Sequence, residues 1–178
     1  MTTHAAFLRG INLGKNKRIA MADLRALGEA LGFEDVRTHL QSGNLLFTSK
    51  AAEAELVAAL EGGIATEFGF DIRVMVRTRA QLARLVNDDP MGADRSDGRL
   101  RHVAFLSAAP KAKELKAFDA GRYLPDEVHI QGRDAHLWYP GGVQGSKLSN
   151  AELERHLGVA ATTRNWNTVT KVLELVNA

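Results

Sequence analysis

Two β-type runs separated by only four residues constrain the fold of this chain most strongly. Val36–Leu40 and Leu45–Thr48 flank residues 41–44, Gln-Ser-Gly-Asn, which are residue types that tight turns favour. A connection this short joins only antiparallel strands, because parallel strands need a crossover of a dozen residues or more. The sequence therefore predicts a β-hairpin here, with its neighbouring elements arranged around it.

Apolar residues at helical spacing lie on both sides of this hairpin in the sequence. They are Leu24, Leu27 and Leu31 before it, and Leu56, Leu60 and Ile64 after it. A short apolar strand, Ala5–Leu8, comes first, and an alternating strand, Ile72–Arg77, comes last. Residues 1–78 thus predict the order βαββαβ, the ferredoxin-like arrangement with two helices on one side of an antiparallel sheet.

Residues 79–178 predict a second, smaller α+β half that packs on the first. Thr78 and Gln81 have the spacing of a capping box, which starts a helix. Residues 88–98 contain one proline, two glycines and four aspartates and predict a connection between the halves. Beyond it the sequence predicts a strand (Arg101–Leu106), a helix (Ala112–Phe118), a hairpin turning at Gly132-Arg133, a helix capped by Ser149 with Glu152, and a last helix starting near Asn165. The fold class is therefore α+β.

The composition is that of an ordinary globular protein, with 45% hydrophobic and 25% charged residues. No apolar run approaches the roughly 18 residues of a membrane span, and the residues after Met1 do not resemble a signal peptide. The absence of cysteine excludes disulfides and thiol chemistry. We therefore expect a cytoplasmic protein that does not bind membranes. The net charge of +2 comes from 23 basic and 21 acidic residues, and neither half is a basic arm.

Three segments together carry a resemblance to a known family. They are residues 7–14 (Phe-Leu-Arg-Gly-Ile-Asn-Leu-Gly), residues 41–44, and residues 161–169 (Ala-Thr-Thr-Arg-Asn-Trp-Asn-Thr-Val). The chain resembles the bacterial family catalogued as domain of unknown function 1697, from its first strand to its last helix. This resemblance implies an α+β protein with a ferredoxin-like first half, and it implies no established activity.

The loop Arg9–Arg18 is the first candidate for a binding site. It leaves a strand, contains Gly10 and Gly14, and carries cations that could hold a phosphate beside exposed main-chain N–H groups. It is not a nucleotide-hydrolysing P-loop, because only three residues separate the glycines and Asn16 follows Lys15. The alternative is a solvated turn. The candidate ligand-binding residues in this loop are Arg9, Asn12, Lys15, Lys17 and Arg18.

The start of the last helix is the second candidate, with Arg164, Asn165 and Trp166 as its ligand-binding residues. A helix N-terminus carries partial positive charge and free N–H groups, which attract anions. The alternative is that Asn165 or its neighbours cap the helix and Trp166 packs between elements. We expect this segment and the loop to share one ligand, to which Gln41, Ser42 and Asn44 also contribute.

Two histidines face each other in the predicted hairpin around Gly132-Arg133. A two-residue turn places His129 opposite His136, on a polar outer side that also carries Asp134. Two exposed ligands do not hold a divalent ion tightly, so we predict no metal and no cofactor.

These features favour binding of an anionic, phosphate-bearing ligand such as a nucleotide or a nucleic-acid backbone. One alternative is an enzyme that acts without metal on a small polar substrate through Asn12, Gln41, Ser42 and Asn165. Another is a protein–protein interaction module. The sequence leaves catalysis and the oligomeric state open.

Overall fold

The computed structural model describes all 178 residues and has a mixed α+β architecture. The strands are β1 (Thr2–Leu8), β2 (Glu34–His39), β3 (Asn44–Ser49), β4 (Val74–Thr78), β5 (Arg101–Leu106), β6 (Glu127–Gln131), β7 (Asp134–Trp138) and β8 (Ala161–Asn165). The helices are α1 (Met21–Ala30), α2 (Glu53–Phe68), α3 (Arg79–Asn87), α4 (Ala112–Ala117), α5 (Asn150–Leu157) and α6 (Trp166–Asn177). Every helix falls short of the length and hydrophobicity that a membrane span requires.

The chain divides into two compact units. The first unit comprises Met1–Arg84 and Lys171–Ala178, and the second unit comprises Leu85–Thr170. Each unit contains one four-stranded sheet in which all neighbouring strands are antiparallel. The predicted α+β class is therefore confirmed.

The first sheet has the strand order β2-β3-β1-β4. Its hairpin forms as predicted, with Thr38 opposite Leu45 and His39 opposite Asn44. The predicted element order βαββαβ is also observed. The last strand begins at Val74 and not at Ile72.

Helices α1 and α2 contribute to one core against a single face of this sheet. Their shared core contains Ala6, Leu8, Leu24, Leu45, Phe47, Leu56, Leu60, Ile64, Val74 and Val76. Strand residues two apart along the chain enter this core because successive side chains of a strand point to opposite faces. At Gly63 of α2, a Cβ atom would lie 3.0 Å from Cδ1 of Leu27 in α1, so glycine permits the two helices to approach closely.

The second sheet has the strand order β6-β7-β5-β8. The predicted hairpin register is confirmed, because His129 pairs with His136 across β6 and β7. One face of the sheet forms a core that includes Ala104, Leu106, Val128, Ala135, Leu137, Leu153, Leu157 and Ala161. Residues 161–165 form β8, which pairs with β5. The sequence interpretation had assigned these residues only to the approach of the last helix.

The capping box at the start of α3 is present in both directions. The Thr78 N–H donates to Oε1 of Gln81 at 2.8 Å, and the Gln81 N–H donates to Oγ1 of Thr78 at 3.2 Å. Two of the main-chain groups around the helix start are thereby paired.

Only one half of the predicted box forms at α5. The Glu152 N–H donates to Oγ of Ser149 at 3.2 Å. The Glu152 carboxylate instead accepts hydrogen bonds from the Tyr123 hydroxyl and the Arg155 guanidinium, and it contacts His156. These charged hydrogen bonds hold the pKa of Glu152 at about 2, below its usual value.

Candidate functional site

The loop that follows β1 has a defined main-chain conformation. Gly10, Asn12 and Lys17 have φ angles of +70°, +56° and +53°. These angles lie in the left-handed region, which residues with side chains rarely adopt and which Asn tolerates better than most. The Asn12 N–H donates to the Lys17 carbonyl at 3.1 Å and closes the loop between them.

The Asn12 side chain holds this loop together. Its Nδ2 donates to the carbonyls of Ile19 at 2.9 Å and Gln41 at 2.8 Å, and its Oδ1 accepts from the Ile19 N–H at 3.0 Å. An amide has two donor hydrogens and one acceptor oxygen, so each of these groups has a partner. Asn12, a predicted ligand-binding residue, thus has a structural contact for each polar group.

Residues 41–44 lie directly against the same loop. The Leu8 N–H donates to the Gly43 carbonyl at 2.9 Å. Gly43 has φ +80°, and a Cβ atom there would lie 2.6 Å from Cδ1 of Ile11. Only glycine fits this position without a shift of its neighbours. The sheet therefore brings the loop and the hairpin turn together, as the shared-ligand prediction requires for Gln41.

The predicted residues of the turn differ in accessibility. Gln41 is exposed, Ser42 is half-buried, and Asn44 is fully buried. The Asn44 amide donates to the His39 carbonyl at 2.7 Å and to Oγ of Ser42 at 3.2 Å. These two bonds stabilise the turn.

The cations of the loop remain at the surface. Lys15 and Arg18 are exposed and form no ion pair, while Nζ of Lys17 donates to the Asp71 carbonyl at 2.9 Å. The half-buried Arg9 lies at the strand end, where its N–H donates to the Arg73 carbonyl at 3.0 Å. Residues 9–20 contain four basic and no acidic residues. Their charge is therefore not compensated within the segment.

The remaining predicted residues, Arg164, Asn165 and Trp166, belong to the second unit. Asn165 caps α6, because its Oδ1 accepts from the Thr168 N–H at 2.8 Å. Arg164 is buried and donates through Nη1 to Oγ1 of Thr162 at 2.9 Å. Burial lowers the pKa of Arg164 to about 10. A ligand shared with the loop stays a prediction.

A cluster that the sequence interpretation missed surrounds Trp166. The Arg101 guanidinium lies over the indole ring, with Cζ 3.6 Å from the ring centroid, and pairs with the Asp89 carboxylate. The His136 ring centroid lies 6.2 Å from that of Trp166. Arg101 and His136 are 3% and 1% exposed. The cluster combines a buried cation, a carboxylate, an imidazole and an aromatic face.

The prediction that the β6–β7 hairpin has a solvated polar side is wrong for His136. Burial lowers the pKa of His136 to about 4, which outweighs the opposing effect of Asp89. Its Nδ1 lies 3.9 Å from Oδ1 of Asp89 and makes no hydrogen bond. His136 is therefore neutral near pH 7, while His129 across the hairpin is exposed.

One sequence signal could have found this cluster. Arg101–Leu106 has apolar residues at both odd- and even-numbered positions. Val103 and Phe105 lie on one face of the strand, and Ala104 and Leu106 lie on the other. A strand that is apolar on both sides is typical of burial on both sides. A charged residue such as Arg101 at its start is therefore expected to be buried and paired.

No group of three or more His, Asp or Glu side chains is placed to hold a metal ion.

Comparisons with known proteins agree with the architecture. The profile of a family described as "Protein of unknown function (DUF1697)" matches residues 1–136. The solved structure of the conserved bacterial protein SP0830 from Streptococcus pneumoniae is similar with a TM-score of 0.77, over 100% of this chain and 99% of that one. The two sequences are 24% identical, so this likeness shows a shared fold alone. No curated protein matches the chain.

Proposed function

This chain belongs to DUF1697, a family of unknown function, and from its own geometry we propose that it binds a phosphate-bearing anion at the loop Arg9–Arg18. The ligand is a nucleotide or a nucleic-acid backbone. The turn at residues 41–44 forms the adjoining wall of this surface.

One observation carries the proposal: Lys15 and Arg18 are exposed, form no ion pair, and lie on a loop that Asn12 holds in place. Like charges on a mobile loop can move apart, whereas a fixed loop keeps them close. A polyanion that neutralises them releases its condensed counterions, which favours binding. Lys15 supplies a point charge for phosphate, and the Arg18 guanidinium can donate two parallel hydrogen bonds to it.

The test compares two ligands, an oligonucleotide and a nucleotide, and two double variants that each remove two cations. Fluorescence anisotropy measures binding of a labelled single-stranded oligonucleotide and of a labelled nucleotide, at about 50 and 200 mM salt. The double variant Lys15→Ala/Arg18→Ala removes the proposed contacts. The control variant Lys111→Ala/Lys113→Ala removes two exposed cations from the second unit.

We expect the loop variant to weaken binding and to reduce the slope of log K against log salt by about 1 to 2, since each phosphate contact contributes about 0.7 for a single strand. The control variant should retain the affinity and slope of the unaltered protein. Equal losses in the two variants, or a slope near zero in the unaltered protein, would disprove the proposal.

The Trp166 cluster favours a second candidate function, an enzyme that acts on a small polar substrate. Nδ1 of His136 and Nε of Arg101 are buried and make no hydrogen bond, beside the Asp89 carboxylate. Buried polar groups normally have partners, and clusters of this kind concentrate at functional sites. By contrast, the polar groups of Asn12 and the Oδ1 of Asn165, two residues first considered for catalysis, have structural partners.

A thermal-shift screen at low and moderate salt separates the two candidates. A small polar substrate should raise the melting temperature equally at both salt concentrations, and this rise should vanish in His136→Gln. A phosphate-bearing ligand should lose its effect at moderate salt and in the Lys15→Ala/Arg18→Ala variant.

A further inference from the structure

Two exposed leucines lie beside the cationic loop. Leu13 is 84% exposed, more than any other large hydrophobic residue of the chain, and Leu40 is 53% exposed. A single exposed leucine is ordinary on a protein surface. These two are chain neighbours of Asn12 and Gln41, which are joined by a hydrogen bond of 2.8 Å. They therefore lie on two neighbouring loops.

Each leucine lies at or directly after a residue in the left-handed main-chain conformation. Leu40 has φ +61°, and Asn12, which precedes Leu13, has φ +56°. A left-handed conformation is uncommon for leucine and persists only where its surroundings impose it. Here the Leu40 carbonyl accepts from the Gly43 N–H at 3.4 Å, and Asn12 fastens the loop. Leu13 and Leu40 thus remain exposed on loops with a defined main-chain conformation.

Exposed amide and cationic side chains lie on the same loops as the two leucines. Exposed amides, Asn16 and Gln41, lie on the same two loops as the leucines, and Lys15, Lys17 and Arg18 supply positive charge. We call these seven residues the wedge surface: Leu13, Lys15, Asn16, Lys17, Arg18, Leu40 and Gln41. Proteins that bind the minor groove combine cations for the phosphates, amides for the base edges and an apolar wedge for a base step.

We propose that the wedge surface binds duplex DNA from the minor groove, with Leu13 entering a flexible base step and bending the duplex. This inference rests on the proposed function, because it assigns the phosphate-bearing ligand of the same loop. The cations contact the backbone, and the amides of Asn16 and Gln41 face the groove. Leu40 covers the sugar edge beside the opened step.

The amides favour DNA over an anionic membrane as the partner. A lipid interface would accept the leucines and cations, but its hydrocarbon offers no hydrogen-bond partner to the amides of Asn16 and Gln41. Burial of an amide without a partner is unfavourable, whereas a DNA groove provides acceptors for its N–H groups. The wedge surface therefore complements a groove better than a lipid surface.

The experiment measures affinity and bending separately on the full chain. A duplex of about 20 base pairs carries a fluorophore at each end and a central TA step, which is an easily kinked sequence. Energy transfer between the fluorophores reports bending, and anisotropy reports affinity. The variants are Leu13→Ala, Lys15→Ala/Arg18→Ala, and the control Leu124→Ala, which truncates a leucine that is 70% exposed in the second unit. Flotation with phosphatidylserine–phosphatidylcholine vesicles tests the lipid alternative.

We expect the unaltered protein to bend the duplex, and Leu13→Ala to abolish the bend and weaken binding about tenfold with an unchanged salt slope. The cation variant should lower the slope, and Leu124→Ala should change nothing.

If Leu13→Ala bends and binds the duplex normally while the cation variant binds poorly, the wedge inference is wrong and the phosphate-binding function stands. If the unaltered protein binds the labelled nucleotide or single strand but not the duplex, the inference is likewise wrong. If it binds neither the labelled nucleotide nor any nucleic acid at about 50 mM salt, both fail. Leu13-dependent flotation without bending would assign the surface to lipid and overturn the inference.

Discussion

The Asn12 side chain and the Gln41 main chain, 29 residues apart in sequence, are joined by a hydrogen bond of 2.8 Å. This bond links the loop after β1 to the turn between β2 and β3. The same amide also pairs with both main-chain groups of Ile19, which is 2% exposed. The Asn12 side chain therefore links the cationic loop to the hairpin turn and to Ile19.

The variant Asn12→Ala should lower the free energy of unfolding by about 1–3 kcal/mol, because the buried main-chain groups of Ile19 lose their partners. Urea unfolding measures this loss. Asn16→Ala, on the exposed part of the same loop, should change stability by less than about 0.5 kcal/mol. Equal stabilities of the two variants would show that Asn12 does not hold the loop.

The variant Gly43→Ala should destabilise the first unit by about 1–3 kcal/mol. The added Cβ would meet Cδ1 of Ile11 at 2.6 Å, and the residue would have to keep φ +80°. Gly14→Ala is the matched control, because nothing lies within 4 Å of its Cβ position and its φ is not left-handed. Thermal denaturation of both variants checks the difference, and a stable Gly43→Ala protein would contradict this packing.

The variant Trp166→Ala should cost about 2–4 kcal/mol of stability. It removes a large half-buried side chain together with the aromatic face on which the buried Arg101 guanidinium lies. Trp166→Phe retains a ring face and should recover more than half of the loss. Chemical denaturation of the two variants provides the measurement. If phenylalanine is no better than alanine, the stacking of Arg101 contributes little.

Acidification should destabilise the protein through His136. Burial lowers its folded-state pKa to about 4 from the usual 6.5 of a histidine, so between these pH values the unfolded chain binds more protons than the folded one. The contribution of neutral His136 to the free energy of unfolding is complete above pH 6.5 and is lost as the pH falls toward 4. The difference between the two pKa values corresponds to a loss of roughly 3 kcal/mol in the free energy of unfolding once the pH is below 4. Urea unfolding at intervals across this pH range measures it.

The His136→Gln variant supplies the control for this pH dependence. It should show a shallower decline in stability between pH 6.5 and 4 than the unaltered protein. The variant His129→Gln changes the exposed partner across the hairpin and should keep the steep decline. His4, His39 and His102 also have pKa values lowered by burial, and they contribute a residual slope in every variant.

Local patterns were sufficient for much of the fold. The capping box of Thr78 and Gln81 involves residues three apart, and the pairing of His129 with His136 follows from a two-residue turn. The βαββαβ order of the first unit follows from apolar periodicity and from the short hairpin turn. Such features depend on neighbours in sequence, where spacing alone fixes geometry.

The candidate site was only partly accessible to the same reasoning. The sequence located the cationic loop, but it did not predict the hydrogen bonds by which the Asn12 and Asn44 side chains stabilise main-chain turns. It predicted the start of the last helix near Asn165, but not the strand Ala161–Asn165 that precedes this helix and pairs with β5. Polar side chains can bind a ligand or stabilise a turn, and the choice depends on partners from distant segments.

The sequence by itself determined which residues share a face of each strand and where α3 and α5 begin, because side-chain period and capping are properties of neighbouring residues. Tertiary structure alone decided which of those faces water reaches. His136 and Trp138 occupy the same face of β7 by their parity, yet only the packing of Asp89, Arg101 and Trp166 around His136 makes it a buried, neutral imidazole. Burial sets the free energy of a charge, and burial results from contacts between residues that the chain brings together only when it folds.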